Sequence, residues 1–197
     1  MFRIICLICG YFLGCIQTAY FVSRAMGVDL KHQGSGNLGT TNATRVMGKK
    51  AGAVTFAGDV LKTVAAFVIF SHIFKANYFM AGMYASLGVI LGHDFPFYLN
   101  FSGGKGIAAM LGFLLCAGLK PALFVYACGI IGVLTGYVSV GSLFIAIAIP
   151  ISMYIFGYGT EATALGIIMC VLAIWRHRSN FKRIKNGTES KIKLFKK

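Results

Sequence analysis

The chain has 197 residues, 57% of them hydrophobic and 12% charged, against about a quarter charged in an ordinary soluble domain. So few polar groups cannot cover a water-facing exterior, which makes lipid the solvent for most of the surface. The 19 Lys+Arg against 5 Asp+Glu, a formal net charge of +14, would suggest nucleic acid in a soluble chain. Here the cations fall between and after apolar runs, where they suit anionic headgroups, phosphorylated ligands and topology signals.

Taken in chain order, apolar runs fall at roughly 3–22, 51–73, 78–92, 107–119, 122–137, 143–157 and 160–175. The pattern predicts an all-α integral membrane protein of about seven transmembrane helices, a single polytopic domain over 1–197. The first two runs reach the roughly 20 residues that a span needs, whereas the third and fourth are short enough to be half-depth or re-entrant. The N-terminal run lacks a clear small-residue cleavage site and is read as the first membrane helix. All six cysteines (Cys6, Cys9, Cys15, Cys116, Cys128 and Cys170) lie inside apolar runs, as small packing residues rather than disulfides or zinc ligands.

Orientation follows from charge. Arg24, Lys31, Arg45, Lys49 and Lys50 sit in the first loop and Lys105 in the loop after the third run. The basic tail from about 176 carries Arg176, Arg178, Lys182, Arg183, Lys185, Lys191, Lys193, Lys196 and Lys197. The alternate breaks hold only Arg3, Lys75 and Lys120. The positive-inside rule then puts the N-terminus outside and the C-terminus in the cytoplasm. Parity brings the 24–50 loop, the 93–106 loop, the 138–142 break and the tail to one face.

Those four segments carry the polar motifs. The first runs Gly34-Ser35-Gly36-Asn37-Leu38-Gly39-Thr40-Thr41-Asn42 and on to Arg45. Its glycines let a backbone approach a ligand and aim N–H groups at it, and arginine adds a planar fork suited to phosphate. Gly34, Gly36 and Gly39 also fit G-x-G-x-x-G, but that fingerprint needs a βαβ unit and the neighbours here are membrane helices. A flexible glycine loop and a phosphate site fit the first motif equally well.

The second motif runs from His93-Asp94-Phe95-Pro96 to Gly103-Gly104-Lys105-Gly106, followed by a helix start near Ile107. Glycine N–H groups, an ammonium and a helix N-terminus together favour an anion site over a topology-setting lysine. His93 and Asp94 are adjacent and read as structural rather than catalytic. The third motif, Ser139-Val140-Gly141-Ser142, reads as a turn whose interest is its position.

The fourth motif, Arg176-His177-Arg178-Ser179-Asn180, continues through Arg183 to Gly187-Thr188-Glu189. A basic tail against anionic lipid accounts for most of it, but cations on both sides of His177 should hold that imidazole neutral. Asp59 and Lys62 lie three apart and share a helix face. A charge in a span defaults to function, and a local ion pair at the cytoplasmic end of the helix is an equal reading.

In this order the motifs resemble the bacterial acyl-phosphate:glycerol-3-phosphate acyltransferases, the PlsY family. The resemblance rests on Ser35 to Arg45, Gly58 to Lys62, Gly92 to Gly106, Ser139 to Ser142 and His177 to Glu189. The chain departs from the family pattern at Leu38, where proline is common, at Asp94, where an apolar residue is common, and at Ala109, where threonine is frequent. The resemblance implies a seven-helix protein of the bacterial inner membrane with its active site at the cytoplasmic surface. It implies acyl transfer from a fatty acyl phosphate to the sn-1 hydroxyl of glycerol 3-phosphate, giving lysophosphatidic acid and phosphate.

The expected roles follow. Ser35, Arg45, Lys105 and His177 hold phosphate, while Asn37, Gly104 and Gly106 shape the cradle. Asn180 and Ser142 position the hydroxyl or polarise the acyl carbonyl, with Lys105 and His177 counted in the catalytic set. Asp59, Lys62 and Glu189 support the cations. A substrate phosphate takes the hydroxyl proton, with His177 second. The expected partners are the two substrates and membrane lipid, with no nucleic acid, metal or cofactor, in a monomer. None of the four histidines starts a His-x-x-x-x-Asp motif. The competing reading is a small transporter or flippase for an anionic metabolite or lipid, which would bind near the midplane with access from both faces.

Overall fold

A computed structural model describes residues 1–192, with Lys193, Lys196 and Lys197 of the basic tail outside the described residues. No strand occurs among the described residues. Ten α-helices follow one another: α1 (Phe2–Gly14), α2 (Thr18–Ala25), α3 (Thr40–Met47), α4 (Lys49–Ile73), α5 (Tyr78–Asp94), α6 (Ile107–Ala117), α7 (Leu119–Val133), α8 (Val138–Ile155), α9 (Thr160–Arg176) and α10 (Arg178–Lys185). Each predicted apolar run became helical. Three stretches are long and apolar enough to cross a membrane by length and composition: Phe2–Ala25, Lys49–Ile73 and Val138–Ile155.

The chain forms two compact units, Met1–Cys116 and Ala117–Lys197. In the first, α5 is the central helix, with twelve of its seventeen residues buried. It lies against α1 at backbone contact. A Cβ on Gly10 would stand 2.2 Å from the Ala85 carbonyl oxygen and one on Gly14 2.2 Å from that of Val89. From the other side, a Cβ on Gly88 would stand 2.2 Å from the Leu7 oxygen and one on Gly92 2.0 Å from that of Tyr11. Glycines four apart on both helices thus remove the side chains from one shared stripe, the means by which helices associate closely where water supplies no hydrophobic drive. The outward faces are apolar instead, with Ile4, Ile8 and Phe12 of α1 and Leu61 and Ile69 of α4 exposed. Such faces suit lipid and would be a liability in water.

The first apolar run is not one helix. It breaks over residues 15–17, where Gln17 is extended (φ −91°, ψ 94°), and the break releases carbonyls from the helical ladder. Unpaired backbone at membrane depth is tolerable only when protein satisfies it, and here side chains do. Tyr98 donates to the Cys15 oxygen at 2.7 Å, and Lys62 donates to those of Gly14 and Ile16 at 3.2 and 2.9 Å.

In the second unit, α7 and α8 meet through Gly129, Gly132 and Gly141, with a Cβ on Gly132 falling 2.7 Å from the Gly141 Cα. Pro150 lies inside α8, and Gly166 of α9 packs against it, its Cβ position 3.0 Å from the Pro150 Cα. Trp175 in the last turn of α9 is half exposed, with the Arg178 guanidinium 4.2 Å from its ring centroid. An aromatic ring with a stacked cation is a usual anchor at the headgroup level.

Three boundaries differ from the sequence reading. The 24–50 loop contains α3, and Lys49 and Lys50 open α4. The run predicted from 122 starts at Leu119, because Pro121 is acceptable in a first helical turn, where its missing N–H costs no ladder bond. Ser139 and Ser142 sit in the first turns of α8 rather than in a break. The actual turn is 134–137, where Gly136 takes a positive φ of 88°.

Candidate active site

The glycine loop before α3 is built around one side chain, Asn42. Its Oδ1 accepts from the Ser35 backbone N–H at 2.8 Å and from Arg45 Nη1 at 3.5 Å. Its Nδ2 donates to the Gln33 oxygen at 3.1 Å and to that of Leu30 at 3.4 Å. Gly34 has φ +61°, and a Cβ there would lie 2.3 Å from Asn42 Oδ1, so only glycine fits. Asn42 is buried, while Ser35 and Asn37 are half-buried and Arg45 is exposed. Thr40, the first residue of α3, buries an Oγ1 that has no hydrogen-bond partner among the described residues. The sequence reading placed Asn42 within the motif but gave it no role of its own, since its partners Leu30, Gln33 and Ser35 precede it by 7 to 12 residues.

The second loop lies against the end of α5. The Gly103 N–H donates to the Asp94 oxygen at 3.1 Å and the Gly104 N–H to the His93 oxygen at 3.0 Å. Both N–H groups are therefore turned toward α5, and Gly104 contributes to the loop by its missing side chain. Gly106, at φ +72°, precedes α6, and a Cβ there would stand 3.2 Å from Asp94 Oδ1. Lys105 is half-buried between these glycines.

Beneath this loop lies a buried charged cluster. Lys62 Nζ is 2.9 Å from Asp59 Oδ1, with side chains 7% and 1% exposed, and 3.0 Å from His93 Nδ1. With the Gly14 and Ile16 oxygens, the ammonium has four acceptors. Thr18 donates to Asp59 Oδ1 at 3.3 Å. Gln17 Nε2 donates to the His93 oxygen at 2.9 Å. The pair expected at the end of a helix thus sits in the middle of α4 and joins α1, α2, α4 and α5. Gln17 and Thr18 were absent from the sequence reading because their partners lie 76 and 41 residues away, and His93, read there as structural, meets Lys62 across 31 residues.

The second unit gathers a different set around Glu189. Its Oε1 accepts from Ser139 at 2.9 Å and from Asn180 Nδ2 at 2.6 Å, and its Oε2 from Arg183 Nε at 2.6 Å. Burial pushes the Glu189 carboxyl up, but these hydrogen bonds outweigh it and hold it below the usual carboxylate range. The Ile192 N–H closes onto the Gly136 oxygen at 2.9 Å. His177, buried at the joint between α9 and α10, directs Nδ1 to the Ala173 oxygen at 2.7 Å. A carbonyl only accepts, so Nδ1 carries the proton and neutral His177 keeps its lone pair on Nε2. Ser142 donates to the Val138 oxygen at 3.0 Å, which spends its proton within the helix. Ser139, not Ser142, is the serine engaged by the tail.

A family model described as glycerol-3-phosphate acyltransferase matches residues 4–187. Curated glycerol-3-phosphate acyltransferases are similar along nearly the whole chain. That of Thermoanaerobacter sp. (strain X514) is 39% identical, covering 98% of this chain and 96% of the relative. That of Clostridioides difficile (strain 630) is 41% identical, covering 96% and 95%. Two crystal structures of PlsY (YgiH), an integral membrane glycerol 3-phosphate acyltransferase, share 32% sequence identity with it. The glycerol 3-phosphate form superposes with a TM-score of 0.88 over 98% of this chain and 96% of that one. The lysophosphatidic acid form does so with 0.85 over 96% and 95%. Membership is carried by likeness over almost the full length, and the transporter reading has no comparable support: the chain belongs to the glycerol-3-phosphate acyltransferase family and is an integral membrane enzyme.

Proposed function

We propose that this acyltransferase takes its acyl group from a fatty acyl phosphate and delivers it to the sn-1 hydroxyl of glycerol 3-phosphate. The observation that supports the acceptor and product is the pair of PlsY forms, one with glycerol 3-phosphate and one with lysophosphatidic acid, two molecules that differ by a single acyl group; the donor and the sn-1 position rest on the motif resemblance. In the reaction the hydroxyl oxygen bonds to the acyl carbonyl carbon. The anhydride C–O bond breaks and its electron pair leaves with phosphate. The products are lysophosphatidic acid and inorganic phosphate. A mixed anhydride is already activated, so no covalent enzyme intermediate is needed, and positioning with charge stabilisation supplies the catalysis.

Ser35, Arg45 and Lys105 hold phosphate oxygens, in loops shaped by Asn37, Gly104 and Gly106. The partnerless hydroxyl of Thr40 supports an oxygen-rich ligand at the first of them, since a buried orphan donor is costly. Asn180 positions the hydroxyl or the carbonyl, and Ser142, its own proton held by Val138, positions the hydroxyl as an acceptor. Asp59, Lys62 and Glu189 hold their neighbours in place. The chain sits as a monomer in the bacterial inner membrane with seven spans, its N-terminus outside and its phosphate-binding loops and C-terminus in the cytoplasm. The lysine and arginine distribution supports that orientation.

The hydroxyl proton passes to a substrate phosphate oxygen. A second reading, His177 as base, is favoured by one specific observation: its Nδ1 bond to the Ala173 oxygen leaves the Nε2 lone pair as the acceptor. A phosphate-holding His177 would instead need a proton on Nε2. His177→Ala separates the two, since a loss confined to kcat marks the base and a raised KM for glycerol 3-phosphate marks the phosphate ligand.

Purified protein incubated with glycerol 3-phosphate and an acyl phosphate, without added metal, should form lysophosphatidic acid and phosphate in equal amounts. Product from acyl-CoA but not from acyl phosphate would refute the donor assignment. Lys105→Ala should abolish turnover while the protein remains folded. Near-normal activity in that variant would remove the loop from the site.

A further inference from the structure

His93 belongs to no motif role assigned so far, yet it joins the buried ion pair to the loop that carries Lys105. Its ring is 3% exposed. On one edge, Nδ1 lies 3.0 Å from Lys62 Nζ and 3.5 Å from Asp59 Oδ1. The ammonium is the nearer of the two and has only protons to offer, which makes Nδ1 its acceptor and places the ring proton of neutral His93 on Nε2; Asp59 Oδ1 bonds the ammonium instead, at 2.9 Å. On the other edge, Nε2 stands where a side chain at position 104 would be. A Cβ on Gly104 would fall 1.8 Å from it, with Cδ2 and Cε1 both at 2.7 Å. The His93 backbone completes the contact, because its carbonyl accepts from the Gly104 N–H at 3.0 Å. Gly104 therefore rests directly on the imidazole, one residue before Lys105.

Close packing transmits displacement rather than absorbing it. Lys62 is held among four acceptors on α1, α4, α5 and the 15–17 break, so it sets the place and tautomer of the ring. The ring in turn sets the height of Gly104. From this we infer that His93 is a positioning residue for the glycine–lysine loop, presenting an Nε2–H edge that fixes where Lys105 stands when glycerol 3-phosphate binds. The inference rests on the reading of that loop as a phosphate site. It assigns no proton transfer to His93, which acts on the substrate only through the loop.

The test compares His93→Ala, His93→Gln and His93→Asn with the parent and with Lys105→Ala, all as the full chain purified in detergent. Thermal midpoint, kcat and KM for glycerol 3-phosphate are measured for each. The amide nitrogen of glutamine reproduces the position of Nε2, and that of asparagine the position of Nδ1. His93→Ala should raise KM about tenfold with kcat within about threefold, the pattern of lost ground-state binding. His93→Gln should return KM to within about threefold of the parent, and His93→Asn should leave it raised.

The inference is overturned if KM is unchanged in His93→Ala. It is also overturned if asparagine rescues as well as glutamine, or if KM in the three variants merely follows the thermal midpoint. Should His93→Ala fail to fold, the contrast between glutamine and asparagine decides alone. Loss of activity in Lys105→Ala with normal KM in His93→Ala removes only this inference, whereas normal kinetics in Lys105→Ala removes the phosphate site beneath it.

Discussion

Two charged clusters, one in each unit, are held by opposite means. Asp59, Lys62 and His93 are collected from α4 and α5, deep among helices, and are satisfied largely by carbonyls that a broken helix releases. Glu189 is partly buried and gathers Asn180 and Arg183 from the same short tail, with Ser139 as its distant partner. The first cluster has no water to fall back on, so removing one member leaves a buried charge with nothing to balance it. In the second, Arg183 is 30% exposed and can exchange a lost bond for solvent. Depth, rather than the number of hydrogen bonds, should therefore rank their importance to the fold.

The sharpest way to break this comparison is Lys62→Met. It strands the Asp59 carboxylate and should cost about 3–5 kcal/mol, seen as a collapse of the thermal midpoint in detergent. Adding Asp59→Asn should recover a large part of it. A single variant as stable as the parent would mean that water reaches the cluster.

Next comes Gly92→Ala, which tests the α1–α5 contact that brings the cluster together. A methyl 2.0 Å from the Tyr11 oxygen must push two backbones apart. The expected loss is about 2–3 kcal/mol by thermal unfolding, with a raised KM if the loop follows α5.

Glu189→Gln should cost less, about 1–2 kcal/mol, because its charged partner Arg183 is 30% exposed and can turn to solvent. The same residue gives a pH test. Its folded carboxyl lies below the usual range, so its stabilisation is complete at neutral pH, begins to fall as pH drops into the usual carboxylate range and is gone once pH passes below the lowered folded value. The thermal midpoint of the parent should fall on acidification, and that of Glu189→Gln should fall less.

The smallest effect belongs to Asp29, which is exposed. His32, 2.7 Å away, lowers its carboxyl despite slight desolvation. Asp29→Asn should leave the thermal midpoint unchanged at physiological salt.

These contrasts also explain what the sequence could reveal. Helices were legible because apolar runs and charge placement act over neighbouring residues, and the two phosphate-suited loops were legible from their glycines. The break at Cys15-Ile16-Gln17 was not, since no glycine or proline within it announces a stop. Three carbonyls are drawn off by side chains from positions 17, 62 and 98. His93 looked structural beside Asp94 because its importance comes from Gly104 lying on its ring. Ser139 and Ser142 were read as a turn because serine and glycine cluster there, although Gly136 had already made the turn and the serines open α8. Asn42 was visible as a letter in a motif, but its role became apparent only once four polar groups were seen around one carboxamide.

The interrupted first helix bears on biogenesis. As the chain leaves the ribosome, its interrupted first span enters the bilayer before Lys62 and Tyr98 have been translated, so the carbonyls of Gly14, Cys15 and Ile16 lack the donors those side chains supply. Nascent chains arrested ahead of α5 should be loosely inserted and readily clipped by protease near residue 16, and they should become resistant once synthesis passes position 98.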